Sequence, residues 1–274
     1  MPELPEVETV KRGLQEIVRA ATIKSVNIYW PKIITGEYTG KEFAAVLKNQ
    51  TIHDISRRGK FLLFHFDKWT LISHLRMEGK YEVVVSEAPL KKHTHVVFHL
   101  KDGRDLRYLD VRKFGRMALV PLGQENNYPG IKRLGPEPVE GEFDEKVFAA
   151  ALNKHKKAIK PLLLDQTLVT GLGNIYVDEV LFKAGIHPLR SANQLTKKEV
   201  EKLFQAIISV LKEAVSAGGT TVRTYKNALG KAGNFQFSLN VYGKKGEPCP
   251  NCGQTIKKIT VAQRGTHFCE YCQN

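Results

Sequence analysis

Near the start of the chain, apolar residues recur every three or four positions. They are Leu4, Val7, Val10, Leu14 and Ile17. This spacing places them on one face of a helix, and Pro5 suits the first helical turn because an N–H there would have no helical partner. The pattern predicts an amphipathic helix with its N-terminus at Pro2 and Glu3.

From Thr22 onward, apolar and polar residues alternate as they do in half-buried strands. The predicted strands cover 26–30, 52–55, 61–66, 71–75, 81–85, 95–100 and 106–111. Asp102-Gly103, between the last two, is a strong hairpin-turn signal. Many short strands at close spacing predict a mainly antiparallel β-sandwich with the opening helix packed against it.

Beyond residue 131 the chain changes character. A stretch rich in Gly, Pro and Glu is typical of a linker, and the apolar period after it is helical. Thr196 and Glu199 form a capping box for a long helix that ends at Gly218-Gly219. The other predicted helices cover 144–154, 159–167 and 175–184.

These patterns predict an α+β protein with a defined division along the chain. The predicted parts are a sandwich domain (1–131), a linker (132–142), a helical domain that carries a glycine-rich loop (143–235) and a C-terminal ribbon (236–274). At 274 residues the chain is long enough to bury a substantial core.

The balance of charge is strongly basic. Lys and Arg number 42 and Asp and Glu 28, so the net charge is 42 − 28 = +14. Such an excess favours a polyanionic partner, most simply nucleic acid, because cations placed at phosphates release counterions. No apolar run approaches the roughly 20 residues of a membrane-spanning helix. The first residues lack the basic and apolar segments of a signal peptide, so we expect a cytoplasmic protein without a membrane partner.

All four cysteines lie near the C-terminus in the pattern C-x2-C-x16-C-x2-C. They are Cys249, Cys252, Cys269 and Cys272. Two C-x2-C knuckles at this spacing are typical of a structural zinc site on a β-hairpin ribbon. Four thiolates leave no open coordination position, so the metal is expected to fold the ribbon and not to perform chemistry. Iron is the competing metal, which four cysteine ligands alone do not exclude.

The first residues also carry candidate chemistry. Removal of Met1, which a small second residue permits, would leave Pro2 with a free secondary amine. The positive end of the helix lowers the pKa of such an amine and the Glu3 carboxylate raises it, which leaves a nucleophile that can be neutral near pH 7 beside an acid/base group. The simpler interpretation is an ordinary amphipathic helix with acidic residues in its first turn.

Three glycine-containing segments of the sandwich combine basic and apolar residues. Lys60 follows Gly59 at a strand start, where it could reach a phosphate or a reacting sugar. Met77, at a strand end, could wedge into a base stack, although most methionines lie in a core. Arg112 and Phe114 share a glycine-ended turn that suits phosphate contact and stacking, and an ordinary basic turn is the alternative.

The helical half and the ribbon add further candidates. Asn174 ends a glycine turn and is predicted to cap the helix after it, whose N–H groups suit an anion. Arg264 lies between the two cysteine pairs, at the tip of the predicted hairpin, as a natural phosphate clamp. The remaining candidates are the basic cluster Lys154, His155 and Lys156, and the loop residues Thr220, Arg223, Thr224 and Tyr225.

The run PELPEVETV (2–10) resembles the start of the bacterial formamidopyrimidine-DNA glycosylases. The segments that contain Lys60, Met77 and Arg112, the run GLGNIY (171–176) and the cysteine pairs resemble the same family in order and spacing, from Pro2 to Cys272. The resemblance implies that Pro2 attacks C1′ of a damaged nucleotide and that Glu3 handles protons. It also implies that Lys60 and Arg264 assist at the sugar and phosphates, and that GLGNIY belongs to a helix-two-turn-helix.

The resemblance further implies how damaged duplex DNA is held. Met77, Arg112 and Phe114 would fill the gap left by an extruded nucleotide, with Arg112 facing the orphaned cytosine. Asn174 and His93 would contact phosphates. The loop around Thr220, Arg223, Thr224 and Tyr225 would fold over the extruded base.

The activity implied by the resemblance is base excision repair by a DNA glycosylase and abasic-site lyase. Oxidised purines (8-oxoguanine and formamidopyrimidines) would be excised through a Schiff base on Pro2, followed by β,δ-elimination. An endonuclease VIII-like enzyme for oxidised pyrimidines is one alternative, although the first residues are more similar to the purine branch. A non-catalytic module that binds damaged DNA is the other, and it would not need Pro2, Lys60 and Arg264 together. One active site per chain leads us to expect a monomer, associated with the bacterial nucleoid.

Overall fold

The computed structural model describes residues 1–220 and 233–274. Within these residues the chain forms two compact units, Met1–Lys132 and Arg133–Thr220 with Asn234–Asn274. The first unit consists of helices and two β-sheets, whereas the second is helical and ends in a two-stranded ribbon. In the part of the chain described, no helix is both long and apolar enough to cross a membrane.

The opening helix, α1 (Leu4–Val18), has the predicted apolar face. Val7, Val10 and Leu14 are buried in the core of the sandwich. Glu3 is the N-cap residue, and its backbone N–H donates a 2.8 Å hydrogen bond to Oε2 of Glu6. This capping-box contact fixes the direction in which the chain enters the helix.

Two four-stranded sheets make up the rest of this unit. One has the strand order β1 (Ile23–Ile28), β6 (Thr94–Leu100), β7 (Arg104–Leu109), β5 (Lys80–Val85). The other has the order β2 (Asp54–Arg58), β3 (Phe61–His65), β4 (Trp69–His74), β8 (Arg116–Pro121). Neighbouring strands are antiparallel throughout. Apolar residues of both sheets and of α1 form one core, so the predicted antiparallel sandwich is confirmed.

A helix and a strand of the sandwich unit, α2 (Gly40–Leu47) and β8, are among the elements that the sequence prediction lacks. The helix α2 is only 8 residues long and begins with glycine, although Thr39 and Glu42 form a capping box for it. The strand β8 lacks alternation because Met117, Ala118 and Leu119 are all buried. A short continuous apolar run does not distinguish a strand from a helix, and only its pairing with β4 decides the matter.

The second unit is built from three helices of moderate length and one short one. After α3 (Pro129–Lys132), which closes the first unit, they are α4 (Glu145–Asn153), α5 (Ile159–Leu163), α6 (Asn174–Ala184) and α7 (Lys197–Ser216). Thr196 and Glu199 cap α7 as predicted, and Gly185, at φ +72°, ends α6 in the left-handed conformation. Almost every residue of α6 is buried, so this helix is the centre of the unit.

The helix α5 is shorter than the predicted 159–167. The backbone leaves the helical path after Leu163, and Gln166 has a positive φ of 22°. The amide of Gln166 donates to the carbonyls of Leu164 (3.1 Å) and Leu172 (2.8 Å) and accepts from the N–H of Gly171 (3.0 Å). One side chain therefore supplies hydrogen bonds that a continued helix would have supplied, and the chain turns toward α6.

The C-terminal ribbon pairs β9 (Lys257–Val261) with β10 (Arg264–Phe268). Ala262 and Gln263 form the two-residue turn between them, both with positive φ, 46° and 60°. Positive φ at both central residues matches the right-handed twist of a tight hairpin, at some cost for residues that carry a Cβ. The first residue after this turn is Arg264.

Candidate active site and nucleic-acid interface

The proposed nucleophile and its acid/base partner lie at the N-terminus of α1. Pro2 and Glu3 are both buried, whereas Met1 is exposed. The positive end of the helix dipole lies at these residues, which disfavours a positive charge on a nearby amine and favours a carboxylate. In the processed chain, the amine of Pro2 would therefore meet the electrostatic conditions of a nucleophile.

Lys60 lies in the turn between β2 and β3 and is also buried. Arg57 connects this turn to α1: its Nε donates to Oε2 of Glu8 at 3.1 Å and its Nη1 to the carbonyl of Gly59 at 2.8 Å. Burial alone would raise the pKa of Glu8, but hydrogen bonds from Lys11 and Arg57 outweigh it and lower the pKa to about 2. The helix that follows Pro2 and the strand that leads into the Lys60 turn are thus joined by an ion pair.

His74, at the end of β4, is a buried and uncharged neighbour of this turn. Burial, reinforced by the positive charges of Arg76 and Lys60, lowers the pKa of His74 to about 3. The backbone N–H of Arg76 donates to its Nδ1 at 2.9 Å, and the Phe61 ring packs edge-on against it at 4.5 Å between centroids. His74 is neutral at pH 7, so it adds no second cation beside Lys60.

The residues predicted to enter the DNA stack lie on two loops. Met77 is half-buried in the turn after β4. Arg112 and Phe114 are exposed in the loop between β7 and β8, and the Arg112 guanidinium lies 4.6 Å from the centre of the Phe114 ring. This cation–π contact holds the two side chains together before any partner binds.

Asp110 shapes the loop that carries Arg112 and Phe114. Its carboxylate accepts hydrogen bonds from the N–H groups of Arg112 (3.0 Å), Phe114 (2.8 Å) and Gly115 (2.8 Å). The carbonyl of His93 accepts the N–H of Asp110 at 3.1 Å, so the half-buried His93 lies beside the base of the same loop. Three backbone donors on one carboxylate make this loop rigid.

In the second unit, the position of Asn174 differs from the prediction. Gly173 is the N-cap of α6, and Asn174 is its first residue and makes no capping hydrogen bond. Its Nδ2 instead donates to the carbonyl of Gly265, in β10, at 2.9 Å. The capping prediction was wrong because a tertiary acceptor on the ribbon takes the side chain that the local sequence suggests for the cap.

One face of α6 contacts the ribbon along its whole length. Residues four apart on the helix meet successive residues of the ribbon: Asn174 meets Gly265, Asp178 meets His267, and Phe182 shares a buried cluster with Cys269. Because residues four apart lie on one helical face, the ribbon follows the helix axis. The exposed Arg264 and the N-terminus of α6 are therefore held in one arrangement.

A buried ion pair that the sequence analysis missed lies at the centre of this contact. Lys160 Nζ and Asp178 Oδ1 are 2.7 Å apart and both side chains are fully buried. Lys160 also donates to the carbonyl of Gly265 at 3.3 Å, and Asp178 accepts the N–H of His267 at 2.9 Å. Lys160 belonged to an apparently ordinary helical segment, and no local signal marked a lysine there as buried.

We expect Asp178→Asn to destabilise the second unit by about 3–5 kcal/mol, because it removes the carboxylate that a fully buried ammonium faces. Glu213→Gln is the matched control, since its ion pair with Lys183 is exposed and should contribute less than about 1 kcal/mol. Urea unfolding of both variants measures the difference. If Asp178→Asn lowers the free energy of unfolding by no more than the control does, the prediction is contradicted.

The remaining predicted contacts are placed as follows. Lys154 and Lys156 are exposed just after α4 and His155 is half-buried between them. Asn193 donates its N–H to the carbonyl of His155 and Ser191 its hydroxyl to that of Lys156, so the backbone of this cluster is held. Thr220 is buried, with its hydroxyl 2.9 Å from the Tyr176 hydroxyl. Arg223, Thr224 and Tyr225 lie outside the described residues.

The four cysteines form a compact cluster at the base of the ribbon. Their sulfur atoms all lie within 4.8 Å of one another, with 3.8 Å between Cys249 and Cys272 and 3.5 Å between Cys252 and Cys269. A tetrahedral ion with Zn–S bonds of about 2.3 Å separates its sulfurs by about 3.8 Å. The donor set and its geometry therefore fit one Zn²⁺, held by all four residues.

Together these features define a class of protein: a basic nucleic-acid-binding protein with a buried proline–glutamate pair before the first helix of one unit and a four-cysteine zinc site in the other. Three family models match the chain in turn. They are the formamidopyrimidine-DNA glycosylase N-terminal domain (residues 1–117), the formamidopyrimidine-DNA glycosylase H2TH domain (134–226) and the zinc finger found in FPG and IleRS (246–274).

Individual relatives agree with the family models. The formamidopyrimidine-DNA glycosylase of Enterococcus faecalis is 58% identical over 273 residues, which cover 100% of this chain and 97% of the relative. The Lactococcus lactis Fpg bound to DNA that contains N7-benzyl-Fapy-dG has 47% identity and a TM-score of 0.94, with 99% of both chains covered. The complex of the Lactococcus lactis Fpg with DNA that contains an abasic site has 48% identity and a TM-score of 0.94, also with 99% of both chains covered.

The chain belongs to the formamidopyrimidine-DNA glycosylase family. The α+β architecture of sandwich, helix-two-turn-helix and cysteine ribbon is that of the family, as predicted. The zinc-finger match and the clustered sulfurs confirm the structural zinc site.

Proposed function

We propose that this protein is a bifunctional DNA glycosylase and abasic-site lyase of base excision repair that removes oxidised purines from duplex DNA. The observation that carries the proposal is the buried Pro2-Glu3 pair at the N-terminus of α1, in a chain that matches the family over its whole length. The relatives' name and the lesion-containing DNA in the Lactococcus lactis complexes support the substrate class.

The chemistry follows from a free secondary amine on Pro2. Its lone pair attacks C1′ of the damaged nucleotide, and the base leaves with the electrons of the glycosidic bond while Glu3 protonates the opening sugar ring. A secondary amine bonded to C1′ then yields an iminium ion. This cation acidifies the C2′ proton, whose loss expels the 3′ phosphate and, in a second elimination, the 5′ phosphate. Water finally releases the sugar fragment and restores the amine.

Lys60 and Arg264 have electrostatic roles in this scheme. Lys60 lies in a turn that Arg57 holds through the carbonyl of Gly59, and Arg264 is the first residue of β10 in the hairpin, so the backbone at both cations is held before substrate binds. Placed at the two phosphates of the target nucleotide, they would stabilise the leaving anions. The hydrogen bonds that hold these turns support the assignment, because preorganised charges cost little reorganisation during the reaction.

The DNA-binding roles rest on exposure and charge. Met77, Arg112 and Phe114 would fill the stack after the nucleotide is extruded, since a glycosidic carbon inside a duplex cannot be attacked in line. The residues proposed at phosphates are His93, Lys154, His155, Lys156 and Asn174. Thr220, Arg223, Thr224 and Tyr225 would cover the extruded base. We propose a monomer that acts on the chromosome in the bacterial cytoplasm.

The proposal is tested with duplexes that carry a single lesion opposite cytosine. With 8-oxoguanine, the wild-type chain should release the free base and leave a one-nucleotide gap flanked by phosphates. Faster cutting of a duplex with an oxidised pyrimidine would favour an endonuclease VIII-like enzyme instead. Tight binding without base release or strand cutting would show a damaged-DNA-binding module and refute the enzyme.

A further inference from the structure

Tyr108, the fifth residue of β7, is fully buried and lies between two glycines of different loops. A Cβ added at Gly79 or at Gly115 would come closer than 3.0 Å to the Tyr108 hydroxyl oxygen and to Cζ. Real Cβ atoms do not reach such distances, so both glycines lie against this one phenol group. Gly115 therefore tolerates no side chain while Tyr108 is present, and at Gly79 the Leu75 carbonyl oxygen, 2.5 Å from the added Cβ, is a second obstacle.

Each of these glycines ends a loop that carries proposed stack-filling residues. Gly79 ends the turn that contains Met77, and its N–H donates to the carbonyl of Leu75 at 3.0 Å. Gly115 ends the loop with Arg112 and Phe114, and its N–H donates to Asp110 at 2.8 Å. The separation of the two loops at their bases is therefore set by the width of the Tyr108 phenol.

The Tyr108 hydroxyl has no hydrogen-bond partner among the described residues, although it is buried. Its neighbour Tyr81 differs: the rings lie 5.2 Å apart, but the Tyr81 hydroxyl is 2.7 Å from the Ser73 hydroxyl. A buried hydroxyl without a partner costs about 1–3 kcal/mol. Replacing Tyr108 by phenylalanine would remove this cost and stabilise the folded protein. The hydroxyl therefore contributes bulk rather than a hydrogen bond.

We propose that Tyr108 is a positioning residue, which holds the Met77 turn and the Arg112–Phe114 loop at the separation that lets both enter the DNA stack together. Tyr108 itself touches no DNA in this role and acts only through the two glycines. The inference rests on the proposed function, because it assigns a cause to the geometry of the stack-filling residues. It predicts that a more stable protein can be a poorer enzyme.

The test compares Tyr108→Phe with Tyr81→Phe in the full-length chain. For Tyr108→Phe we expect a melting temperature equal to or above that of the wild type, and a single-turnover excision rate on 8-oxoguanine duplex that falls at least about tenfold. The rate of cleavage at an abasic site in single-stranded DNA should be unchanged, because a single strand has no duplex stack in which a gap must be filled. Tyr81→Phe loses a hydrogen bond and should melt lower with both rates unchanged.

A spectroscopic measurement separates positioning from packing. 2-Aminopurine placed next to the lesion brightens when its stacking is disturbed, and Tyr108→Phe should reduce this signal at saturating enzyme whereas Tyr81→Phe should not. Wild-type excision and fluorescence in Tyr108→Phe would overturn the role of Tyr108 and leave the proposed function intact. A wild-type chain that cuts neither substrate would refute both.

Discussion

A chain that retains Met1 is expected to bind lesion duplex but to excise no base. In that chain the Pro2 nitrogen belongs to a peptide bond, and its lone pair is delocalised into the carbonyl and is no longer nucleophilic. Loss of a covalent nucleophile typically costs about 10⁴-fold or more in rate. Preparations with and without Met1, identified by intact mass, should differ by that factor in the rate at which they excise 8-oxoguanine from a duplex.

Borohydride trapping reports the same nucleophile directly. Reduction of the iminium should link the processed chain to abasic DNA, and the Met1-retaining chain should give no adduct although duplex affinity persists. Pro5→Ala is the matched control because Pro5 lies in the same buried first turn but carries no free amine. Adduct formation by the Met1-retaining chain would show that another group is the nucleophile.

Removal of the zinc is expected to unfold the ribbon and to abolish most DNA binding. Zinc bound to four thiolates contributes about 10–16 kcal/mol to the folding of such a module. Cys249 and Cys269 are buried in one cluster with Phe182 of α6, so loss of the metal also exposes an apolar face. Without the ribbon, Arg264 and the Gly265 carbonyl that binds Asn174 lose their positions.

The measurement combines chelation with a matched pair of variants. Cys269→Ala or a strong chelator should remove the melting transition of the ribbon and weaken duplex affinity by at least about tenfold, since phosphate contacts are lost. Tyr271→Ala is the control, because Tyr271 lies between two ligands of the same knuckle but is 69% exposed. Metal analysis should return one zinc per chain and no iron. Full affinity after metal removal would contradict the prediction.

Prediction from the sequence succeeded where a local pattern has one physical explanation. The apolar face of α1, the capping box of α7 and the end of α6 at Gly185 are each set by neighbouring residues. The cysteine spacing likewise implies a ligand set with a single preferred geometry. Prediction failed for α2 and β8, whose signals are short or lack a period, and for the end of α5, where the Gln166 side chain replaces helical hydrogen bonds.

The sequence by itself determined the kinds of chemistry present in this protein: a proline and a glutamate at the helix start, a basic balance, a zinc ligand set and a family likeness. Only the tertiary structure decided which side chains pair and pack with one another. It joined Glu8 to Arg57, buried Lys160 against Asp178, turned Asn174 to the ribbon and set Tyr108 between two glycines. The physical reason is distance along the chain: capping and periodicity act within a few residues, whereas burial and ion pairing depend on segments that folding alone brings together.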